Sequence, residues 1–119
     1  MATIMLVEDN EHVAEAFKRG MGFFDPLLSI LHAHTLAEAE QLVQEHGESI
    51  RVIAWDGRLP DGNSWEGAIQ KARTILPDIP MVAMSGDDGN KEKQVAAGCT
   101  VAPLYKHQAA RVVIGLLRL

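Results

Sequence analysis

Five side chains in this sequence carry groups that act together on charged oxygen chemistry: the acidic pair Glu8-Asp9, Asp56, Ser85 and Lys106. Each follows a short apolar run. Ile4-Met5-Leu6-Val7 leads to Glu8, Val52-Ile53-Ala54-Trp55 to Asp56, Pro80 to Met84 to Ser85, and Thr100 to Tyr105 to Lys106. Runs of this length and β-branched content are read as buried strands. A carboxylate at the carboxyl end of such a strand sits where open α/β sheets place their chemistry. Gly57, Pro60, Asp61 and Gly62 are turn residues, so the strand before Asp56 ends at or near it. Alone, Asp56 would be a turn initiator or helix cap. In company with the other four it is a reactive carboxylate.

Carboxylates brought close together raise one another's pKa values unless a cation intervenes. An all-oxygen set with few protein ligands suits Mg²⁺. Zinc is a poor fit, because no histidine or cysteine joins the cluster.

Parallel strands would deliver these residues to one edge, and the remaining sequence supplies the connections. Asn10 caps a helix carrying Val13, Ala14, Phe17 and Met21 at helical spacing, and Gly20, Gly22 and Asp25-Pro26 break it. Leu27 to His34 reads as a second strand. Thr35 caps a helix to about His46, stopped by Gly47. Further helices are expected from Ser64 to Leu76, from Lys91 to Ala97 and from Gln108 to Leu119. Strand and helix alternate five times, which implies a doubly wound α/β fold with helices on both faces of a five-stranded parallel sheet. The first and third strands are the most apolar and belong in the middle. Pro103 suits the last strand to an edge. The order 2-1-3-4-5 meets these conditions, in one domain spanning residues 1–119.

Composition narrows the class. A length of 119 residues, 47% apolar and 23% charged, builds one core. The net charge of −5 argues against direct nucleic-acid binding. A single cysteine, Cys99, permits no internal disulfide and points to a reducing, cytoplasmic setting. Met1-Ala2-Thr3 has no basic region ahead of its apolar run, so it does not read as a signal peptide. No run approaches the ~20 residues of a membrane span.

With Glu8-Asp9, Asp56 and Pro60 four residues on, Ser85-Gly86 and Lys106, the whole chain resembles the receiver domain of two-component response regulators. The resemblance implies that Asp56 accepts a phosphoryl group from a phosphohistidine on a sensor histidine kinase or phosphotransfer protein. It implies Mg²⁺ held by Asp9, Asp56 and the backbone carbonyl of Arg58, with Glu8 acting through water. Ser85 and Lys106 would hold phosphoryl oxygens. Such a domain is not an enzyme towards other substrates. It catalyses its own phosphorylation and dephosphorylation, and switches a surface read by a downstream protein.

The sequence departs from the family at four places. His107 replaces the usual proline after Lys106, and a non-proline cis bond there would cost about 3 kcal/mol, so a trans bond is expected. Lys106 stands eight positions after Gly98, one more than is usual in the family. Ser64 stands where glycine is common. Pro103 occupies the aromatic switch position, which leaves Tyr105, expected to share its strand face, as the substitute. These departures motivate an alternative, a pseudo-receiver that serves as a phosphorylation-independent interaction module. A small phosphatase of another α/β family is disfavoured, because Arg58 stands where that class needs a second acid.

Other expectations concern the surroundings. Trp55 packs in or beside the sheet, and Trp65 lies near the site. His32 and His34 lack a third partner for a metal. Asp87-Asp88-Gly89-Asn90 forms a mobile, solvated loop. Arg58 and Asp87 pair over the site. On the last helix, Arg111 and Arg118 mark a narrow polar stripe among Ala109, Val112, Val113, Ile114, Leu116, Leu117 and Leu119, an apolar excess that suggests a partner or homodimer surface.

Overall fold

The computed structural model describes residues 3–118; Met1, Ala2 and Leu119 lie outside the described residues. Four parallel strands form the main sheet: β1 (Thr3–Val7), β2 (Ser29–Ala33), β3 (Ile50–Trp55) and β6 (Met81–Ala83), in the order β2-β1-β3-β6. Between β3 and β6 in sequence, β4 (Arg58–Leu59) and β5 (Gly62–Asn63) form a separate antiparallel ribbon. The helices are α1 (Glu11–Phe24), α2 (Leu36–His46), α3 (Ala68–Ile75), α4 (Asp88–Ala97) and α5 (Ala109–Leu117).

Period-two alternation sorts the strand side chains into two cores. Ile4, Leu6, Val52, Ala54 and Val82 face α1 and α5, meeting Ala14, Phe17, Met21, Ala109 and Val113. Met5, Val7, Ile53, Trp55 and Met81 face the other way, onto Ala39 and Val43 of α2 and Ile69 and Ala72 of α3. Both layers expected from the alternating pattern are present.

The fifth strand is not. Val101 makes a single parallel bridge to Val82, and residues 102–105 are not strand. The carbonyls of this segment are engaged elsewhere: the Lys91 ammonium of α4 donates to Leu104 at 2.8 Å and to Pro103 at 3.3 Å, and Pro103 has no N–H for a ladder. Pro103 and Tyr105 therefore share no strand face. Pro103 is buried and Tyr105 is exposed, its ring stacked on His107.

Three boundaries also move. Helix α1 runs through Gly20 and Gly22 instead of breaking there; a Cβ on Gly20 would sit 3.2 Å from the Ala110 Cβ, so this glycine lets α1 and α5 approach closely. Helix α3 begins at Ala68, not Ser64, because Ser64 is buried and its N–H and hydroxyl both bond the Gly57 carbonyl. Residues Asp88 to Asn90 are the first turn of α4, not a mobile loop: the Asp87 carboxylate accepts from the Asn90 N–H at 2.9 Å and caps the helix. At the other end of α4, Gly98 takes φ of +136°, which favours glycine. The caps expected at Asn10 and Thr35 are in place.

The α5 side chains Val112, Ile114, Leu116 and Leu117 are half-buried in the α1–α5 layer, while Arg111 and Arg118 are exposed. Among the described residues, the strongly exposed large apolar side chains are elsewhere: Phe23, Leu27, Leu104 and Tyr105. The apolar excess of the last helix is thus largely absorbed by its own fold.

Candidate functional site

The carboxyl ends of β1, β3 and β6 open at one edge, and the structure brings the acidic residues together there. One oxygen each from Glu8, Asp9 and Asp56 lie within 4.8 Å of one another. Parallel pairing sets this register, with Val7 beside Trp55 and the Asp56 N–H donating to the Val7 carbonyl at 2.9 Å. The first residue past each strand is therefore delivered to the same place. Glu8 is fully buried, Asp56 is buried and Asp9 is exposed.

Lys106 reaches the same edge from the β6 side, past the Val101–Val82 bridge, at the start of a short 3-10 turn, Lys106–Gln108. Its ammonium lies 2.7 Å from Glu8 Oε1 and 3.0 Å from Asp56 Oδ1. The bond to His107 is not cis, as expected. With that trans bond the ammonium still reaches both carboxylates.

Burial, followed by the neighbouring Asp56, pushes the Glu8 carboxyl up to about 7, against the pull of Lys106. On the Lys106 ammonium, burial works to lower the pKa, but its bonds to Glu8 and Asp56 outweigh that and hold it above the ordinary value. Together these shifts describe an acidic pocket short of positive charge. The donor set fits a hard divalent cation: carboxylate oxygens, no sulfur or imidazole, and one raised acid that a cation would return to its ionised form. Glu8, Asp9 and Asp56 are the side chains positioned to hold it.

Gly57 explains how close the walls stand. A Cβ there would lie 3.1 Å from Ser85 Oγ and 3.4 Å from the Trp65 ring, so only glycine leaves the turn after Asp56 unobstructed. Ser85 is buried at the end of β6, and its Oγ accepts from the Asp87 N–H at 3.2 Å. Trp65 flanks the site as expected, with the Lys93 ammonium 5.2 Å and the Arg58 guanidinium 6.0 Å from its ring centre. Among the described residues no ion pair joins Arg58 to Asp87. Asp87 is occupied in capping α4, and the expected pairing over the site is absent.

His32 and His34 stack on each other rather than converge on a metal. His32 Nε2 meets the Glu8 carbonyl at 2.8 Å and His34 Nε2 meets Glu11 at 2.9 Å.

Two residues behind the site escaped the sequence reading. Gln94 is fully buried, and its amide donates to the Trp55 carbonyl and Ser64 Oγ. Lys91 is likewise buried. Both sit on a helix too polar for a core-facing stripe to show; the signal available was Ser64, the polar residue standing where glycine is common.

No protein-family model matches the chain, and no curated protein matches it in sequence. Solved structures do match in shape. The signal receiver domain of a DNA-binding response regulator from Colwellia psychrerythraea aligns at TM-score 0.82 and 18% identity, covering 100% of both chains. A CheY-like response regulator receiver domain from Methanospirillum hungatei aligns at TM-score 0.81 and 18% identity, over 99% of this chain and 91% of that one. A two-component response regulator from Clostridium difficile aligns at TM-score 0.80 and 20% identity, over 99% and 97%. The fold is that of response-regulator receiver domains. Among the described residues no helix is long and apolar enough to cross a membrane.

Proposed function

We propose that this chain is a phosphoacceptor receiver domain of a two-component system. The observation that carries the reading is the meeting of Glu8, Asp9 and Asp56 with the Lys106 ammonium at one strand-end edge. Fold likeness alone would not reach it, because one fold serves many functions.

Asp56 is the nucleophile. Its carboxylate oxygen bonds to phosphorus as the phosphorus–nitrogen bond of a phosphohistidine breaks, and the electron pair leaves with the imidazole. The donor is a sensor histidine kinase or phosphotransfer protein. Phosphoryl transfer runs through a loose, charged transition state, so the site works mainly by positioning and charge. Mg²⁺ would be held by Asp9, Asp56 and the Arg58 carbonyl, with Glu8 acting through water, and would offset negative charge when bound. Lys106 contributes its ammonium to one phosphoryl oxygen and Ser85 its hydroxyl to another. A downstream protein then reads the altered surface. Any dimer contact through α5 has only half-buried apolar side chains to use.

The test is mass spectrometry after incubation with Mg²⁺ and acetyl phosphate. Wild type should gain one phosphoryl adduct, stable to acid and labile to base, and Asp56→Asn should gain none. An adduct on Asp56→Asn at the wild-type rate would sink the assignment. No adduct on wild type would favour the pseudo-receiver, a phosphorylation-independent interaction module.

A further inference from the structure

The face that α4 turns to the protein is polar. Asn90, Lys91 and Gln94 are its buried residues, where a helix docked on a sheet ordinarily presents an apolar stripe. Two of these side chains grip main chain at separate places. Gln94 Nε2 donates to the Trp55 carbonyl at 2.9 Å, just before Asp56, and to Ser64 Oγ at 3.1 Å. The Ser64 hydroxyl donates in turn to the Gly57 carbonyl at 3.2 Å, just after Asp56. One amide therefore holds both shoulders of the acceptor. One turn earlier on the same face, the Lys91 ammonium donates to the carbonyls of Pro103 and Leu104 and pairs with Asp88 at 2.9 Å. Two residues beyond Leu104, Lys106 contacts Asp56.

These contacts close a ring: acceptor turn, Gln94, α4, Lys91, residues 103–104, Lys106 and back to Asp56. Gln94 Oε1 is buried without a partner. A buried acceptor without a partner is unfavourable, so it is the weak point of the joint. Polar contacts of this kind are directional, and their geometry depends on where the partner backbone lies.

We infer that Gln94 and Lys91 form a polar relay through α4 that couples the state of the Asp56 turn to the segment before Lys106. The inference rests on the receiver reading for its biological use, and it supplies what Pro103 and the exposed Tyr105 do not, a physical link from acceptor to surface. Coupling is reciprocal, so whatever moves one end of the ring biases the other.

Amide NMR on the full chain tests it in two arms. In the unliganded protein, Gln94→Met, similar in volume but without donors, should shift the Leu104 and Tyr105 amides by more than a linewidth while Ile30, Leu31 and Ala33 of β2 stay in place. In the second arm, Mg²⁺ and beryllofluoride are added. Wild type should show changes at Gly57 and Ser85 that extend to Leu104 and Tyr105. Gln94→Met should keep the first set and lose the second. Ser64→Ala, which removes only the hydroxyl of the bridge, serves as a second variant and should weaken the extension. Leu104 and Tyr105 amides unmoved in the first arm, or extension equal to wild type in both variants, overturns the relay. A wild type that ignores beryllofluoride altogether overturns the receiver reading instead, and the first arm still decides the relay.

Discussion

The two faces of the sheet are closed by different physics. On one, α1 and α5 meet the strands through Phe17, Met21, Ala109 and Val113, an apolar layer tight enough that Gly20 nearly touches Ala110. On the other, α2 and α3 pack in the same way, but α4 is held by Lys91 and Gln94 through hydrogen bonds to backbone. Apolar contact is strong in sum and indifferent to direction. Hydrogen bonds contribute less net stability but specify position. The comparison teaches a division of labour: apolar layers such as α1–α5 supply stability, and on the proposed relay the α4 joint makes one corner responsive.

The largest effect should come from the apolar layer. Phe17 is 4% exposed, and Phe17→Ala removes a ring from a packed interface. A loss of about 3–5 kcal/mol is expected, read as a lower urea midpoint. A loss below 1 kcal/mol would mean that the α1–α5 layer is not where the stability resides.

The next effect lies at the edge where both faces meet. Burial raises Glu8 from 4.5 to about 7, so the folded state binds a proton more tightly than the unfolded chain across that window. Stability attributable to Glu8 is therefore greatest below about pH 4.5 and declines as pH rises towards 7, by at most about 3 kcal/mol. Lys106, raised above its ordinary value, stays charged in both states throughout this window and does not contribute to the slope. His32 acts in the opposite sense: burial lowers its pKa, so its share is lost as pH falls through its folded value. The diagnostic quantity is thus the difference between wild type and Glu8→Gln. That difference should grow with pH in favour of the variant, and Mg²⁺ at pH 7 should shrink it by favouring the ionised carboxylate. A pH-independent difference would place the raised group elsewhere.

How much of this was legible follows the same division. The strands ending at Glu8 and Asp56 are continuous apolar runs, and parallel pairing alone brings their next residues together, so the acidic cluster could be read from strand ends. Thr35 and Asn10 are local caps and were equally plain. The fifth strand misled because the run to Tyr105 is apolar, while the carbonyls of Pro103 and Leu104 bond a lysine far off in sequence, Lys91 on α4. Ser64 looked like a helix start because its bonds to Gly57 and Gln94 are invisible to periodicity. Gln94 and Lys91 themselves belong to no apolar stripe, and a buried polar face on a charged helix resembles a solvated one. Local chemistry and hydrophobic patterning were readable; long-range polar contacts were not.

The smallest effect on global stability should come from Lys91→Met, and it draws the comparison most sharply. Methionine keeps the stem and removes the ammonium from two carbonyls and one carboxylate. Replacing a whole buried ion pair by apolar groups is often close to neutral, whereas removing one partner strands the other. Here the stranded partners are carbonyls of a segment whose Leu104 and Tyr105 are already exposed, so they can turn to water. Asp88 is largely exposed, so its freed carboxylate returns to water without cost. The urea midpoint should correspond to a change within about 1 kcal/mol of wild type. The local consequence should be larger, because Leu104 and Tyr105 are already exposed and the ammonium is what draws their backbone towards α4. Opening of such a segment need not involve global unfolding. Limited chymotrypsin digestion should therefore cut after Leu104 and Tyr105 several-fold faster in Lys91→Met, at concentrations of enzyme that leave the rest of both proteins intact. Unchanged cleavage would show that residues 102–105 hold their path without Lys91. A stability loss approaching that of Phe17→Ala would show that the α4 joint is part of the load shared by the core, and the division between a stable face and a responsive corner would fail.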